Sequence, residues 1–287
     1  MLTPTLSKNI VTAAASLAIL APSLATAASY AVISTGKTEV VGSSSAVPGG
    51  GSSSNFSSGT VTLGTTAASF RLVLSGTSTR FADMRITVVG ISGTLDTTGS
   101  ASGMMIAQTS NSQGLTDTGT ISVLTGFSST GTGGTSSTTL RFTFFEPDSL
   151  IPKSVALELT SFDFDYNQFI QVNNSDFTHE AHGSRLTKTT NSTAGTTTWA
   201  DTKNSDSTFT DSRNAVVLNN VADSSFDLTV GKQGTGNSLF MFEFRDPSQI
   251  LDTPLTPTTL GPAPIPEPTA AVLGGFATLV LLMRRRK

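Results

Sequence analysis

The only two histidines, His179 and His182, are the residues most suggestive of chemistry, and they lie in Thr-His-Glu-Ala-His-Gly. On a helix, imidazoles three positions apart share a metal ion, with Glu180 as a third ligand or a general base. Zinc peptidases space the histidines four apart, and residues 175–185 lack the apolar periodicity of a helix. We therefore expect a solvated loop here rather than a metal site.

A second candidate is the D-x-D-x-N spacing of Asp163, Asp165 and Asn167, which opens calcium-binding loops. Such loops need glycine at the sixth position and glutamate at the twelfth, where this sequence has Gln168 and Asn174. On a strand, alternate side chains stand roughly 6.6 Å apart, too far for three to meet on one ion. We expect the outer face of a strand, with a surface calcium site using Asp163 or Asp165 as the alternative.

Trp199 is the only tryptophan, and it lies in the polar segment Thr-Thr-Thr-Trp-Ala-Asp-Thr. An exposed indole would stack on a sugar ring, whereas a buried one would anchor its loop to the domain, and both alternatives stay open. The sequence has no G-x-S-x-G turn and no phosphate-binding glycine loop, and no carboxylate pair stands out. We expect a protein that is not an enzyme, and keep a secreted hydrolase as a distant alternative.

Strand-like alternation dominates the segments that must position these residues. In Ser-Leu-Phe-Met-Phe-Glu-Phe-Arg, three phenylalanines share one face. About eleven strands are predicted, separated by Gly, Ser, Thr, Asn and Asp: 69–75, 84–92, 104–108, 121–125, 140–146, 155–160, 161–167, 169–172, 215–218, 225–230 and 238–245. This pattern predicts an all-β fold, an antiparallel β-sandwich or jelly-roll-like domain.

The composition excludes several classes of protein. Of 287 residues, 47 are threonine and 39 serine, only 13% are charged, and none is cysteine. A coiled coil, a disulfide scaffold and a basic nucleic-acid binder are all excluded on these grounds. Three tracts rich in Ser, Thr and Gly, at 42–59, 126–139 and 187–211, are predicted to be long loops.

The N-terminal 27 residues have the pattern of a secretion signal. Lys8 precedes an apolar run over 10–24, and Ala25 and Ala27 are the small residues that signal peptidase requires before a cut at Ala28. We expect residues 1–27 to be removed by the general secretion machinery. The domain would then begin at residue 28 and extend to residue 250.

The C-terminal region predicts a tether. Residues 251–265 are rich in Pro and Thr and are expected to form an extended stalk. Residues 269–283 are apolar, and as a helix they would reach about 22 Å, a marginal membrane span. The basic residues at 284–287 should stay in the cytoplasm, which places the domain outside.

Pro266-Glu267-Pro268, a short apolar stretch and then Arg284, Arg285 and Arg286 follow one another in the order of the PEP-CTERM sorting signal, which this region resembles. The resemblance covers residues 264–287 and implies recognition of Pro266, Glu267 and Pro268 by exosortase, a membrane-embedded protease of Gram-negative cells. The three arginines would be the retention charge. Thr269 replaces the serine usual in that family, which leaves the cleavage point open.

The resemblance further implies an exported protein, held at the inner membrane until it is cut and then found at the cell surface or in the extracellular matrix. Proteins of this type accompany exopolysaccharide and biofilm formation. We therefore expect a structural or adhesive role, with a carbohydrate-binding module as the alternative. The domain should be acidic, since removing residues 1–27 and 266–287 changes the formal charge from −3 to about −7.

Overall fold

The computed structural model describes residues 30–33, 66–74, 79–95, 104–109, 120–128, 134–202, 210–234 and 236–260. These residues form sixteen strands and three single-turn 3-10 helices, at 174–176, 212–214 and 247–249. The strands are β1 (Ala31–Ile33), β2 (Thr66–Leu74), β3 (Arg80–Ser92), β4 (Thr94–Leu95), β5 (Met104–Thr109), β6 (Thr120–Ser128), β7 (Thr135–Phe145), β8 (Glu158–Phe162), β9 (Gln168–Asn173), β10 (Phe177–His182), β11 (Leu186–Asn191), β12 (Thr196–Asp201), β13 (Val216–Asn220), β14 (Ser225–Gln233), β15 (Gly236–Glu243) and β16 (Thr258–Thr259).

The strands form two eight-stranded antiparallel sheets. The first has the order β1-β2-β3-β7-β14-β9-β12-β11, and the second has the order β16-β10-β13-β8-β15-β6-β4, with β5 also paired to β6. The all-β prediction is confirmed for the described residues.

A phenylalanine-rich core lies between the sheets because strands such as β7, β9, β12 and β14 bury alternate side chains. Phe142 of the first sheet stacks on Phe226 at 4.9 Å between ring centroids. The same ring meets Phe242 of the second sheet and Phe244, just beyond the end of β15, edge-on at 6.3 and 6.4 Å. Such offset and edge-to-face pairs are the favoured aromatic geometries. The two inner faces are therefore interlocked by rings, and the fold needs no disulfide.

The outer faces of the two sheets differ. On the second sheet, a small hydrophobic cluster forms where Ile250 and Leu251 pack on Phe162, Val217 and Met241. β16 then adds to the edge of this sheet beside β10. The predicted stalk is therefore wrong over residues 251–260, because leucines in this Pro- and Thr-rich segment bury themselves against the domain. The corresponding outer face of the first sheet has no such segment among the described residues.

The prediction of a long loop over 187–211 is also wrong for residues 187–201, whereas residues 203–209 lie outside the described ranges. β11 and β12 form a hairpin with Leu186 opposite Asp201 and Asn191 opposite Thr196. Threonine is β-branched and favours extended backbone, so a threonine-rich tract builds strands when one face is buried. The predicted strand over 161–167 is wrong beyond its second residue. β8 ends at Phe162, and a turn follows.

The two ends of the sandwich carry different features. β10 starts and β16 finishes at the end that we call proximal, where the chain leaves the domain after Leu260. Residue 31 lies at this end too, since its amide donates to the Phe244 carbonyl at 2.8 Å. The turn at 163–167 and the start of β7 lie at the opposite end, which we call distal. Both described termini therefore leave at one end.

No helix within the described ranges is long and apolar enough to cross a membrane. The predicted secretion signal, with Ala25, Ala27 and Ala28, the loop over 42–59 and the sorting signal with its apolar stretch lie outside the described residues.

Leu251→Ala should lower the free energy of unfolding by about 2–3 kcal/mol, because it opens a cavity in the cluster that covers the second sheet. Urea unfolding followed by the emission of the single tryptophan measures this. Thr253→Ala, at an exposed neighbouring position, is the control and should change the free energy by less than about 0.5 kcal/mol. Equal values for the two variants would show that residues 250–255 are not part of the folded domain.

Candidate functional site

A groove of about 370 Å3 opens on the outer face of the first sheet, at the distal end. Strands β9 and β12 form its floor, and the start of β7, the end of β14 and the turn before β9 close its sides. Its lining combines one aromatic ring with amides, hydroxyls and one carboxylic acid residue: Thr135, Asn167, Phe169, Gln171, Thr198, Ala200, Asp201, Thr202 and Gln233.

The aromatic ring is held by a glycine on the neighbouring strand. Phe169 of β9 pairs with Gly231 of β14. A Cβ atom added at Gly231 would lie only 2.2 Å from Cζ of Phe169, so the ring occupies the space that a side chain would take. An aromatic ring that covers a glycine in this way supports the strand pairing. The ring therefore has a fixed place on the floor of the groove.

Amides and hydroxyls surround the ring. Gln171 Nε2 donates to Thr198 Oγ1 at 2.9 Å, which orients the amide between β9 and β12. The backbone N–H of Gln233 donates to the backbone carbonyl of Asn167 at 3.1 Å. This bond ties the end of β14 to a turn in which Asn167 has a φ of 65°. Side-chain amides and hydroxyls both donate and accept, so the groove suits a ligand rich in hydroxyl groups.

The groove carries little charge. Asp201 is the one ionisable residue among the described residues that line it, and it is 2% exposed. Alternation along β12 places Asp201 on the same side as Trp199, which faces the core. Beside the groove, the Lys232 ammonium lies 5.9 Å from the centre of the Tyr166 ring, and burial lowers the pKa of Lys232. A neutral ligand fits this lining better than a charged one.

On the inner side of the same strands, Glu180 joins the two sheets. Its Oε1 accepts from Lys188 Nζ of β11 at 2.6 Å, and its Oε2 accepts from Trp199 Nε1 of β12 at 3.2 Å. His182 Nδ1 lies 3.0 Å from the same Oε2. We call Glu180, His182, Lys188 and Trp199 the lateral clamp, because β10 belongs to the second sheet and β11 and β12 to the first.

The charge of Glu180 is stabilised where it lies. Burial alone would raise the pKa of Glu180, but the hydrogen bonds from Lys188 and His182 outweigh it and hold the pKa below its usual value. Protonation would remove the charge that pairs with Lys188 and turn one of the two accepting oxygens into a donor, so it weakens the clamp. The clamp is therefore a structural feature that depends on an ionised group.

The structure does not bring the two histidines together. β10 is a strand, and residues an odd number apart on a strand point to opposite faces, so His179 and His182 cannot share a metal ion. The expected loop is likewise wrong at this position. His179 Nδ1 lies 3.0 Å from Thr178 Oγ1, on the side away from Glu180.

Trp199 is wholly buried, which excludes it as an exposed ring for a sugar and fits the packing alternative. Asp163 and Asp165 lie in the turn between β8 and β9, where Asp163 has a φ of 64°. Within the described part of the chain, no group of three or more His, Asp or Glu converges as a metal site would require.

Sequence reasoning missed the groove. Phe169 lies in the predicted strand 169–172, but nothing in one strand shows which neighbour it faces. The signal that could have found the groove is Gly231, which directly follows the predicted strand 225–230, since a glycine within a strand marks a close approach of another group. Its partner follows only from the pairing of β9 with β14.

No protein-family model matches the chain, and no curated protein matches it. Among solved structures, the chain is similar to the N-terminal domain of the Streptococcus gordonii adhesin Sgo0707, with 10% sequence identity and a TM-score of 0.43. The match covers 61% of this chain and 45% of that one, so the chain spans less than half of the adhesin domain.

Glu180→Gln should lower the free energy of unfolding by about 2 kcal/mol at pH 7, since it removes the charged acceptor of three donors, Lys188, His182 and Trp199. Because the folded-state pKa of Glu180 is depressed, its contribution is present above the unfolded value of about 4.3 and is lost as the pH falls. The difference from wild type should therefore shrink between pH 5 and pH 3. Urea unfolding followed by far-UV circular dichroism measures it.

Glu146→Gln is the matched control, because Glu146 is paired with Lys153 at 2.9 Å but is 46% exposed. An exposed pair contributes about 0–1 kcal/mol. A penalty for Glu180→Gln that stays constant down to pH 3 would show that the ionised carboxylate does not stabilise the fold.

Proposed function

We propose that this chain is an exported cell-surface protein whose β-sandwich binds a neutral polysaccharide in the groove over Phe169, with a structural or adhesive role in an exopolysaccharide matrix. The observation that carries the proposal is the lining of the groove. Polysaccharide rings present an apolar face to an aromatic side chain and hydroxyl groups to amides and hydroxyls, and the groove offers both.

The position of the groove supports a surface role. Gly231, which pairs with Phe169, lies six residues along β14 from Ser225, or roughly 20 Å at the rise of a strand. Ser225 is at the proximal end, where the chain leaves the domain. A tether attached at residue 260 would therefore leave the groove open at the far end of the molecule.

The route to the surface is the second part of the proposal. The small-residue pattern before Ala28 supports export, and the order of Pro266-Glu267-Pro268, the apolar stretch 269–283 and the basic residues that follow supports sorting by exosortase. The chain would be anchored in the inner membrane before processing and be found at the cell surface or outside the cell afterwards.

Phe169→Leu should weaken binding of a neutral oligosaccharide roughly tenfold, which corresponds to about 1.4 kcal/mol, because it removes the stacking face. Isothermal titration with cellohexaose and maltohexaose measures the affinity, and an acidic alginate oligomer of similar length tests the preference for neutral ligands. Gln233→Ala, at an exposed position of the lining, should weaken binding less.

Phe145→Leu is the control for this series. Phe145 lies on the same outer face at the proximal end, with the Arg85 guanidinium 4.8 Å from its ring centre, and it does not line the groove. Its substitution should leave the affinity unchanged. Binding that is equally reduced by both variants, or seen only with alginate, would reject the groove as a neutral polysaccharide site.

Replacing Pro266-Glu267-Pro268 by three alanines should keep the full-length chain in the membrane fraction of a cell that contains exosortase, because the protease loses its recognition element. Fractionation, with mass determination of the C-terminus, detects this. Release of the variant at the wild-type rate would contradict sorting through this motif. A variant with alanine at 262 and 264 is the matched control and should be processed.

A further inference from the structure

The proximal end of the sandwich carries an exposed apolar loop, residues 146–154 between β7 and β8. Leu150 and Ile151 at its tip are 53% and 65% exposed, the highest values for large hydrophobic side chains among the described residues. Val221, in the neighbouring loop between β13 and β14, is 37% exposed. Three of the five exposed large hydrophobic side chains among the described residues therefore lie at this end, and the two most exposed are adjacent, which makes the tip a candidate contact surface.

The loop is held in a defined conformation. The Glu146 amide donates to the Ile151 carbonyl at 2.9 Å, which closes the loop at its base. The Asp148 amide donates to the carboxylate of Asp83 at 2.9 Å, and Arg80 donates to that carboxylate at 2.6 and 2.8 Å. Asp83 is fully buried. These hydrogen bonds therefore hold Leu150 and Ile151 at a fixed position on the surface.

The chain leaves the domain at the same end. Hydrogen bonds link the neighbourhood of the loop to residue 260: Phe144 N–H donates to Ser224 O at 2.8 Å, Val221 N–H to Asp176 O at 2.7 Å, and Leu260 N–H to Thr178 O at 2.8 Å. Eight residues, 261–268, then separate Leu260 from the apolar stretch 269–283. At about 3.1 Å per residue, the rise of an extended Pro-rich segment, eight residues would reach at most roughly 25 Å.

We infer that Leu150 and Ile151 contact the lipid surface of the membrane in which residues 269–283 are anchored. This rests on the anchoring part of the proposed function. A short tether holds the loop at an effective concentration in the millimolar range near the bilayer, so a contact too weak to hold a free domain is occupied. Cleavage of the tether ends this high effective concentration of the loop near the bilayer, and the domain then dissociates from the membrane.

The charges around the tip fit a lipid surface. Lys153 pairs with Glu146 at 2.9 Å, and Arg71 lies 3.9 Å from Asp148, which also pairs with Arg80. The charged side chains around the tip are therefore paired with opposite charges. Together they neither repel nor strongly attract phosphate headgroups. The contact should rest on the aliphatic side chains and depend little on salt, which separates it from binding by a basic patch.

The absence of cysteine allows a direct test with the full chain after removal of residues 1–27. Ser154→Cys places one environment-sensitive fluorophore beside the tip and leaves Leu150 and Ile151 in place. Gln233→Cys places the same fluorophore at the distal end. Each protein is reconstituted into vesicles of phosphatidylethanolamine and phosphatidylglycerol, with and without a nitroxide-labelled lipid. Flotation reports anchoring, and the emission of Trp199 reports folding.

The fluorophore at position 154 should shift to the blue and be quenched by the nitroxide lipid, while the one at 233 should not. Adding Leu150→Asp and Ile151→Asp should abolish both effects at 154 without reducing flotation. Flotation with no quenching at 154 would overturn the inference and leave the anchor intact. A blue shift without quenching would assign the tip to a second copy of the chain and also overturn it. Failure to float would reject the anchor and the contact together.

Discussion

Ile170 and Val172 are buried between the two sheets, and their burial places Phe169 and Gln171 on the outer face of the first sheet, since side chains alternate along a strand. A shift of β9 by one residue would turn the ring and the amide into the core and expose the aliphatic residues. The groove therefore depends on the same packing that holds the sheets together. Its position is a consequence of the core.

The segment that follows β15 makes the outer faces of the two sheets different, because it covers only one of them. After β15, the chain runs over the second sheet, buries Ile250 and Leu251 there, and leaves beside β10 after Leu260. This covers one face and fixes the end at which the chain departs. The first sheet keeps an open face, and its groove lies at the other end of the sandwich. The groove and the point at which the chain leaves the domain are thereby separated.

Alternation in the sequence predicts the all-β class, because a buried face imposes a period of two on each strand. Alternation does not predict the threonine-rich hairpin around Trp199. The composition there resembles a polar loop, and the segment forms strands because one face is buried against the domain. Alternation also fails at Leu251, since a Pro-rich segment shows no period. The convergence of Phe169 with Gly231, and of Glu180 with Trp199, depends on pairings between segments distant in the chain, which a single sequence does not encode in any local pattern.

The groove and the lateral clamp share a strand. Thr198 of β12 lies in the groove, and the next residue, Trp199, turns inward to donate its indole N–H to Glu180. β11 and β12 lie at the edge of the first sheet, where a hairpin held only by backbone pairing to one neighbour would be free to splay. Glu180 holds the hairpin from within through Lys188 and Trp199, so the part of the groove floor that β12 supplies is held in place. A floor that is already ordered would lose less conformational entropy if the proposed ligand binds, so the buried carboxylate would favour binding on a face that it does not touch.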